Sequence, residues 1–362
     1  MRIFVAGATG WIGSRLVPRL LAAGHDVVVL ARSAERVASR PWDDRVEVVE
    51  GDATDSKAVT AAMFGVDVAI HLVHAMEEAV DDFQKAERRT ARTIAAAAAL
   101  DEVEHIVYLG GLVPEGDEAD LSPHLASRVA TGRILADAGP PTTEVRASVV
   151  IGAGSASYEL IRFVAQTPFP LIVHPSWATG MCQPIGIGDL LDVLEAVVND
   201  GPDGQHRIVE VGGPEVGHYH DLIDVMREMR GGVPTVSAPV PTMVSPVMTG
   251  TLLATLTPID PGTVAPLVTS LAHDSIVTGA GDHEAVITPT TVAEALRMAI
   301  TGEGEYGSRA GDPDWVGATL DLDLVAQVVQ RLPHLPARLM PGLQRDHLLS
   351  TAVDVVTALR PT

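Results

Sequence analysis

"RIFVAGATGWIGSRLVPRLLAAG", Arg2 to Gly24, decides the fold of this chain. "RIFVA" is a short apolar run of the kind that forms a strand buried on both faces. "WIGSRLVPRLLAA" spaces its apolar residues at the helical period and is closed by Gly24. Between them, "GATGWIG" places Gly7, Gly10 and Gly13. The first glycine permits a tight turn, the second lets the backbone approach a pyrophosphate, and the third lets helix and strand pack closely. Free N–H groups at the helix start then face the phosphates. The spacing alone is weak, but here it follows a strand and opens a helix, the context that favours a dinucleotide site over a structural turn. Gly7, Thr9, Gly10, Trp11, Ile12 and Gly13 are the expected pyrophosphate-binding residues.

The same strand–helix rhythm continues outward. "DVVVLAR" reads as a second strand and "VEVVEGD" as a third, with a helix from about Asp55 to Phe64. "DVAIHLVH" is a fourth strand, a long Ala-rich helix runs from about Ala79 to Leu100, and "HIVYLGG" is a fifth strand. Continuous β-branched runs alternating with helices predict a Rossmann-type α/β fold, a doubly wound parallel sheet. Beyond Val150 the rhythm loosens. "EVRASVVIG" is expected to be a sixth strand, and "QPIGIGDLLDVLEAVV" a short strand feeding a helix capped by Asp189. The expected organisation is an NAD(P)-binding domain over residues 1–150, to which 183–212 returns. An interleaved, smaller substrate lobe spans 151–300, and a helical tail spans 301–362.

The second strand selects the dinucleotide. An acid at its end would bind the ribose hydroxyls of NAD. Here it ends "VVVLARSAER", with no acid until Glu35, and Arg32 and Ser33 stand where a 2′-phosphate would lie. A planar guanidinium suits a phosphate through paired, charge-assisted hydrogen bonds, so NADP(H) is favoured over NAD(H). In "GDATD", Asp52 would reach the adenine edge with Ala53 packed beside the ring.

Composition narrows the function. Lys+Arg 25 against Asp+Glu 47 gives a net charge of -22, which disfavours nucleic acid and anionic membranes as partners. The single cysteine, Cys182, excludes an internal disulfide and a thiolate metal cluster. No metal-binding spacing such as H-E-x-x-H occurs, and His71 and His74, on one strand, make a poor metal pair. The start "MRIFVAGATG" lacks a signal-peptide pattern, and prolines interrupt the nearly uncharged stretch 231–259, so no membrane span and a cytoplasmic location are expected.

As a set, these motifs resemble the extended or atypical branch of the short-chain dehydrogenase/reductase superfamily. "DVAIHLVHA" is similar to its fourth-strand motif, in which Leu72, Val73 and His74 would pass under the cofactor. "RASVVIGAGSASYELIRFV" and "IVEVGGPE" resemble later landmarks of NmrA-like and YbjT-like NAD(P)H-binding proteins, which are related to the dehydrogenase-like accessory subunit of respiratory complex I. "GDPDWVG", 311–317, resembles a junction before an extra domain in larger relatives.

The resemblance also implies a catalytic Tyr-x-x-x-Lys pair at the start of the helix after the fifth strand. Here "SPHLASR" puts His124 and Arg128 at those positions, one helical turn apart on one face. Gly110 and Gly111 stand where a serine or threonine is usual. Three readings stay open: His124 is the general acid with Arg128 on the nicotinamide ribose; the pair only binds cofactor; or another group supplies the proton. A plain helix start, Ser122 capping two exposed polar residues, is the fourth. The resulting expectation is an NADP(H)-dependent oxidoreductase acting on an apolar carbonyl or alkene. The alternative is a non-catalytic NADP(H)-binding redox sensor or assembly protein. Met243, Met248, Leu252 and Leu253 are candidates for an apolar substrate cavity, with Trp177 and Met181 at its rim and a core or dimer contact as the competing role. A homodimer is the assembly this reading admits.

Overall fold

The computed structural model describes residues 1–74, 80–116, 120–166, 171–175, 178–232, 236–240, 249–250, 253–254 and 257–319. Six segments form strands β1 (Arg2–Ala6), β2 (Asp26–Ala31), β3 (Glu47–Glu50), β4 (Val68–His71), β5 (His105–Gly111) and β6 (Thr142–Ala147). Helices α1 (Gly13–Ala22), α2 (Ala34–Ala38), α3 (Ser56–Met63), α4 (Val80–Leu100) and α5 (Pro123–Ala136) lie between them. Then follow β7 (Val150–Ile151), α6 (Ala156–Ala165), β8 (Leu171–Pro175), β9 (Met181–Cys182), β10 (Ile185–Gly186), α7 (Ile187–Asp200), β11 (His206–Gly212), β12 (Gly217–His218), α8 (Tyr219–Met229) and β13 (Val236–Val240). Helix α9 (Pro261–Ser270), β14 (Glu284–Ile287) and α10 (Val292–Thr301) complete the described elements.

The central sheet has eight strands in the order β14-β11-β6-β5-β4-β1-β2-β3, all paired in parallel. Alternate side chains of each strand go to opposite faces. Ile3, Val5, Val27 and Val29 join α1, α7 and α10 in one core, whereas Phe4, Ala6, Val28 and Leu30 join α3, α4 and the end of α5 in another. Two buried faces explain why these strands read as unbroken apolar runs. Strand order reverses between β1 and β4, which opens a crevice at the carboxyl ends of the strands. A third, smaller cluster joins Leu160 and Phe163 of α6 to Ile259, Val264 and Val268. The strand pairs β7–β10, β9–β12 and β8–β13 stand outside the main sheet.

Two expectations are corrected. "EVRASVVIG" is not one strand: β6 ends at Ala147, and Val150–Ile151 pairs separately with β10. Helix α7 begins at Ile187, ahead of Asp189. The Asp189 carboxylate instead accepts hydrogen bonds from the Thr290 N–H at 3.1 Å and the Thr290 hydroxyl at 2.7 Å, tying α7 to the start of α10. Among the described residues, no helix is long and apolar enough to cross a membrane. Met243, Met248, Leu252 and Trp177 lie outside the described residues.

Candidate active site

The glycine loop sits at the switch point. Gly7 has φ +90°, and a Cβ there would lie 2.9 Å from the Leu72 carbonyl carbon, so the loop passes directly over the segment after β4. At Gly13 a Cβ would fall 2.2 Å from the Gly7 carbonyl oxygen, which is why helix and loop can close on each other. At Gly10 it would meet only that same oxygen, at 3.1 Å, and its outer face is open. Helix α1 starts there with no acid in its first turn and no side-chain cap. An open backbone cradle on an uncapped helix N-terminus is what a pyrophosphate requires, and the residues present fit a dinucleotide.

The Trp11 side chain does not contribute to that cradle. Its indole N–H donates to the Ala153 carbonyl at 2.8 Å, and the ring fills the slot between Gly152 and Gly154. Two arginines unread in the sequence hold the loop from behind. Arg15 is fully buried and pairs with Asp312 at 2.8 Å. It also donates to the carbonyls of Trp11, Ala153, Glu305 and Gly307. Arg40 donates to the Thr9 carbonyl at 2.5 Å and to the Ala310 and Gly311 carbonyls at 2.9 and 2.8 Å. The "GDPDWVG" stretch is therefore a strap across the back of the glycine loop. The one signal in the sequence is a charged residue inside the apolar stripe of α1.

Arg32 is exposed at the end of β2, and Ser33 leads into α2. A hydrogen bond from Ser33 holds the Glu35 carboxyl below its usual range. Glu50, at the end of β3, accepts the Ala34 N–H at 2.6 Å. Asp52 accepts the Thr54 hydroxyl at 2.6 Å and the Thr54 N–H at 2.9 Å, bonds that hold its carboxyl low, and Ala53 packs against the core beside it. Leu72 and Val73 flank the crevice, half-buried against opposite cores.

The other end of the crevice is built by α4, α5 and the ends of β4 and β5. Ser122 caps α5 by accepting the Leu125 N–H at 3.2 Å, with Pro123 in the first turn. The reading of two exposed polar residues is corrected here. His124 is half-buried, and Arg128 is buried with its guanidinium 4.9 Å over the Tyr108 ring and donating to the Leu109 carbonyl. A Cβ at Gly110 would lie 2.9 Å from the Glu144 carboxylate, which would have to shift to admit a side chain there.

His74, His124 and Arg128 converge on a residue that no motif marks, Glu87 of α4. Its buried carboxylate accepts from His74 Nδ1 through Oε1 and from the Ser127 hydroxyl through Oε2. The His74 and His124 ring centroids lie 4.8 Å apart, the rings tilted by 43°. Burial works to raise the Glu87 carboxyl, but the bond from His74 and the charge of Arg128 outweigh it and hold Glu87 ionised. Burial lowers His74 and His124, Arg128 lowers both further, and His74 lowers His124 as well. Both rings are thus neutral at neutral pH. His71, buried and stacked on Tyr108 at 5.4 Å, is held down to about 3, mainly by burial. Among the described residues, no group of histidine, cysteine or carboxylate side chains is arranged to hold a metal.

His124 faces a cavity of about 110 Å³ at the carboxyl ends of β5 and β6. Leu112, Val149, Met181, Leu267 and Leu271 give it apolar walls, with Ser148 among the polar ones. Met181 lines this cavity, and Leu253 packs against the α6–α9 cluster.

Residues 7–150 match the model of the family described as NAD(P)H-binding. Over 94 residues, 25% of this chain, it is 44% identical to a 3-diazoavenalumate denitrifying reductase from Streptomyces sp, and the match spans 29% of that protein's length. It is 27% identical over 236 residues to the mitochondrial NADH dehydrogenase [ubiquinone] 1 alpha subcomplex subunit 9 of Arabidopsis thaliana, covering 62% of this chain and 57% of the subunit. A nucleoside-diphosphate-sugar epimerase from Staphylococcus aureus shares the fold at TM-score 0.62 and 16% identity, over 82% of this chain and 100% of the epimerase. Residues 7–150 thus form an NAD(P)H-binding domain, and the chain has homologues in the NAD(P)-dependent epimerase/dehydrogenase superfamily.

Proposed function

We propose that this protein is an NADP(H)-dependent oxidoreductase of the atypical short-chain type, acting on an apolar carbonyl or alkene. The observation that carries the reading is His124. It lines a largely apolar cavity beside the expected nicotinamide position, one helical turn from a buried Arg128. The similarity to a protein named a reductase supports the same class. The bound dinucleotide would supply or accept a hydride at its nicotinamide. Gly7, Thr9, Gly10, Trp11, Ile12 and Gly13 would hold its pyrophosphate, the tryptophan through its backbone. Arg32 and Ser33 would take the 2′-phosphate, and Asp52 and Ala53 the adenine. Leu72, Val73, His74 and Arg128 would line the nicotinamide ribose. His124, with Nδ1 buried, would meet the substrate oxygen through Nε2.

Two titrations test the cofactor side. Arg32→Ala should weaken NADPH binding about tenfold or more while leaving NADH nearly unchanged, read by calorimetry. Equal weakening of both would remove the 2′-phosphate role. His124→Phe should abolish turnover of carbonyls or enones and retain NADPH binding. A second reading, a non-catalytic NADP(H)-binding sensor or assembly protein, is favoured by the exchange of Tyr and Lys for His124 and Arg128. A broad carbonyl and enone screen with tight NADPH binding and no turnover would support it.

A further inference from the structure

The cavity that His124 faces carries hydroxyls on its apolar walls: Ser148, Ser157, Tyr219, Ser270 and Ser275. Several of their hydrogens are spent inside the protein. Ser270 donates to the Pro266 carbonyl at 2.9 Å, and Ser275 donates to the Ser148 oxygen at 2.7 Å. Tyr219 and Ser157 bond to each other. Ser148, which accepts from Ser275, keeps its own hydrogen for the cavity.

Charge is what the cavity lacks. Among the described residues, no Lys, Arg, Asp or Glu lines it. From Ser148 to Thr290 the sequence has four Lys or Arg residues: Arg162, Arg207, Arg227 and Arg230. Arg162 is held by Glu159 and Arg207 by Glu284, and none of the four lines the cavity. An adjoining cavity of about 610 Å³ shares Gly180 and His273 with it and has Glu115, Asp120 and Asp274 on its walls.

We propose that the substrate is an uncharged, single-ring carbonyl or enone with a second acceptor oxygen, which the Ser148 hydroxyl receives, and that anionic substrates are excluded. The inference rests on the oxidoreductase reading of this site and narrows it. Size sets the ring. A cavity of about 110 Å³ has room for on the order of ten water-sized atoms, at roughly 10–15 Å³ each. That is one six-membered ring with short substituents, and a nucleoside diphosphate sugar is far too large. Charge sets the rest. A carboxylate or phosphate would shed its water here without gaining a Lys or Arg, and burying an unpaired charge is costly. The carboxylates of the adjoining cavity oppose its approach as well. An uncharged second oxygen loses water but gains the Ser148 O–H, whereas a bare hydrocarbon ring leaves that donor unmatched. His124 enters from α5 and Ser148 follows the end of β6, so different elements address the two oxygens.

The test is a ligand-observed NMR titration of the full chain with saturating NADP⁺, so that the dinucleotide cradle is filled. The probes are cyclohexanone, tetrahydropyran-3-one, tetrahydropyran-4-one, 4-oxocyclohexanecarboxylate and UDP-glucose. One of the tetrahydropyranones should bind about fivefold more tightly than cyclohexanone, and Ser148→Ala should bring the two level. The carboxylate and UDP-glucose should show no saturation where the neutral rings saturate. Equal binding of cyclohexanone and both tetrahydropyranones, or an advantage that survives Ser148→Ala, overturns the second-oxygen contact. A carboxylate that binds like the neutral rings, or binding of UDP-glucose, overturns the exclusion of anions. Failure of every ring to bind overturns the proposal as a whole. Turnover is read separately with NADPH. Rings that bind as expected and are never reduced would sink the oxidoreductase reading and leave the selectivity of the cavity standing.

Discussion

An alanine at Gly10 and one at Gly13 would act in opposite ways, although both belong to one loop. At Gly13 the new carbon would fall 2.2 Å from the Gly7 carbonyl oxygen, a contact that backbone must relieve. At Gly10 it would point outward, meeting one atom at 3.1 Å. Gly10→Ala should therefore leave the melting temperature within a degree or two while weakening NADPH at least about tenfold, because the methyl occupies the pyrophosphate's approach. Gly13→Ala should lower thermal stability itself. A Gly10→Ala protein that binds NADPH normally would show that no phosphate crosses this loop. Such single-residue demands were legible in the sequence, because turn and helix-start geometry act over a few neighbours. His124 and Arg128 were legible as a pair for the same reason: one helical turn sets them together. Glu87 was not. It lies 13 residues from His74 and 40 from Ser127, and only the packing of α4 on α5 brings the three together.

At the level of elements, the strap at 311–317 is the contact to challenge. Arg15 and Asp312 pair with side-chain exposures of 0% and 3%. Removing one partner of a buried pair leaves an uncompensated charge, so Asp312→Ala should destabilise the fold by about 3 kcal/mol in denaturant titration. Arg15→Met combined with Asp312→Ala should recover much of that loss. If the single and double variants are equally unstable, the strap acts through its backbone contacts rather than the ion pair. Elements whose ends are set locally, such as α5 with Ser122 and Pro123, could be placed from sequence. The start of α7 could not, because Asp189, a good capping residue, is drawn to Thr290 by a tertiary contact.

At the scale of the whole molecule, four histidines are held neutral in a chain whose net charge is -22. Burial, the first cause in each case, holds His71 at about 3 and His105 at about 4, and His74 and His124 are lowered too. A histidine whose folded pKa is depressed contributes stability that is complete above its unfolded value of ~6.5. That stability is lost as pH falls from there toward the folded value, at up to ~1.4 kcal/mol per pH unit and histidine. Melting temperature should thus be level from pH 8 to 7 and decline between about 6.5 and 4. A flat profile across that interval would mean these rings are solvated. The parallel sheet itself was legible from its buried β-branched runs. The separate pairs β7–β10 and β9–β12 were not, since two-residue bridges leave no periodicity to read.

The strap has a consequence in time rather than in space. The glycine loop leaves the ribosome well before the carboxylate that locks Arg15, which lies 297 positions later. The nascent amino-terminal half can build its sheet long before it can close the loop's rear face. Capture of the dinucleotide is then a late event in biogenesis, completed when Asp312 emerges. Chains cut short before it should fold their early strands and still fail to retain the cofactor.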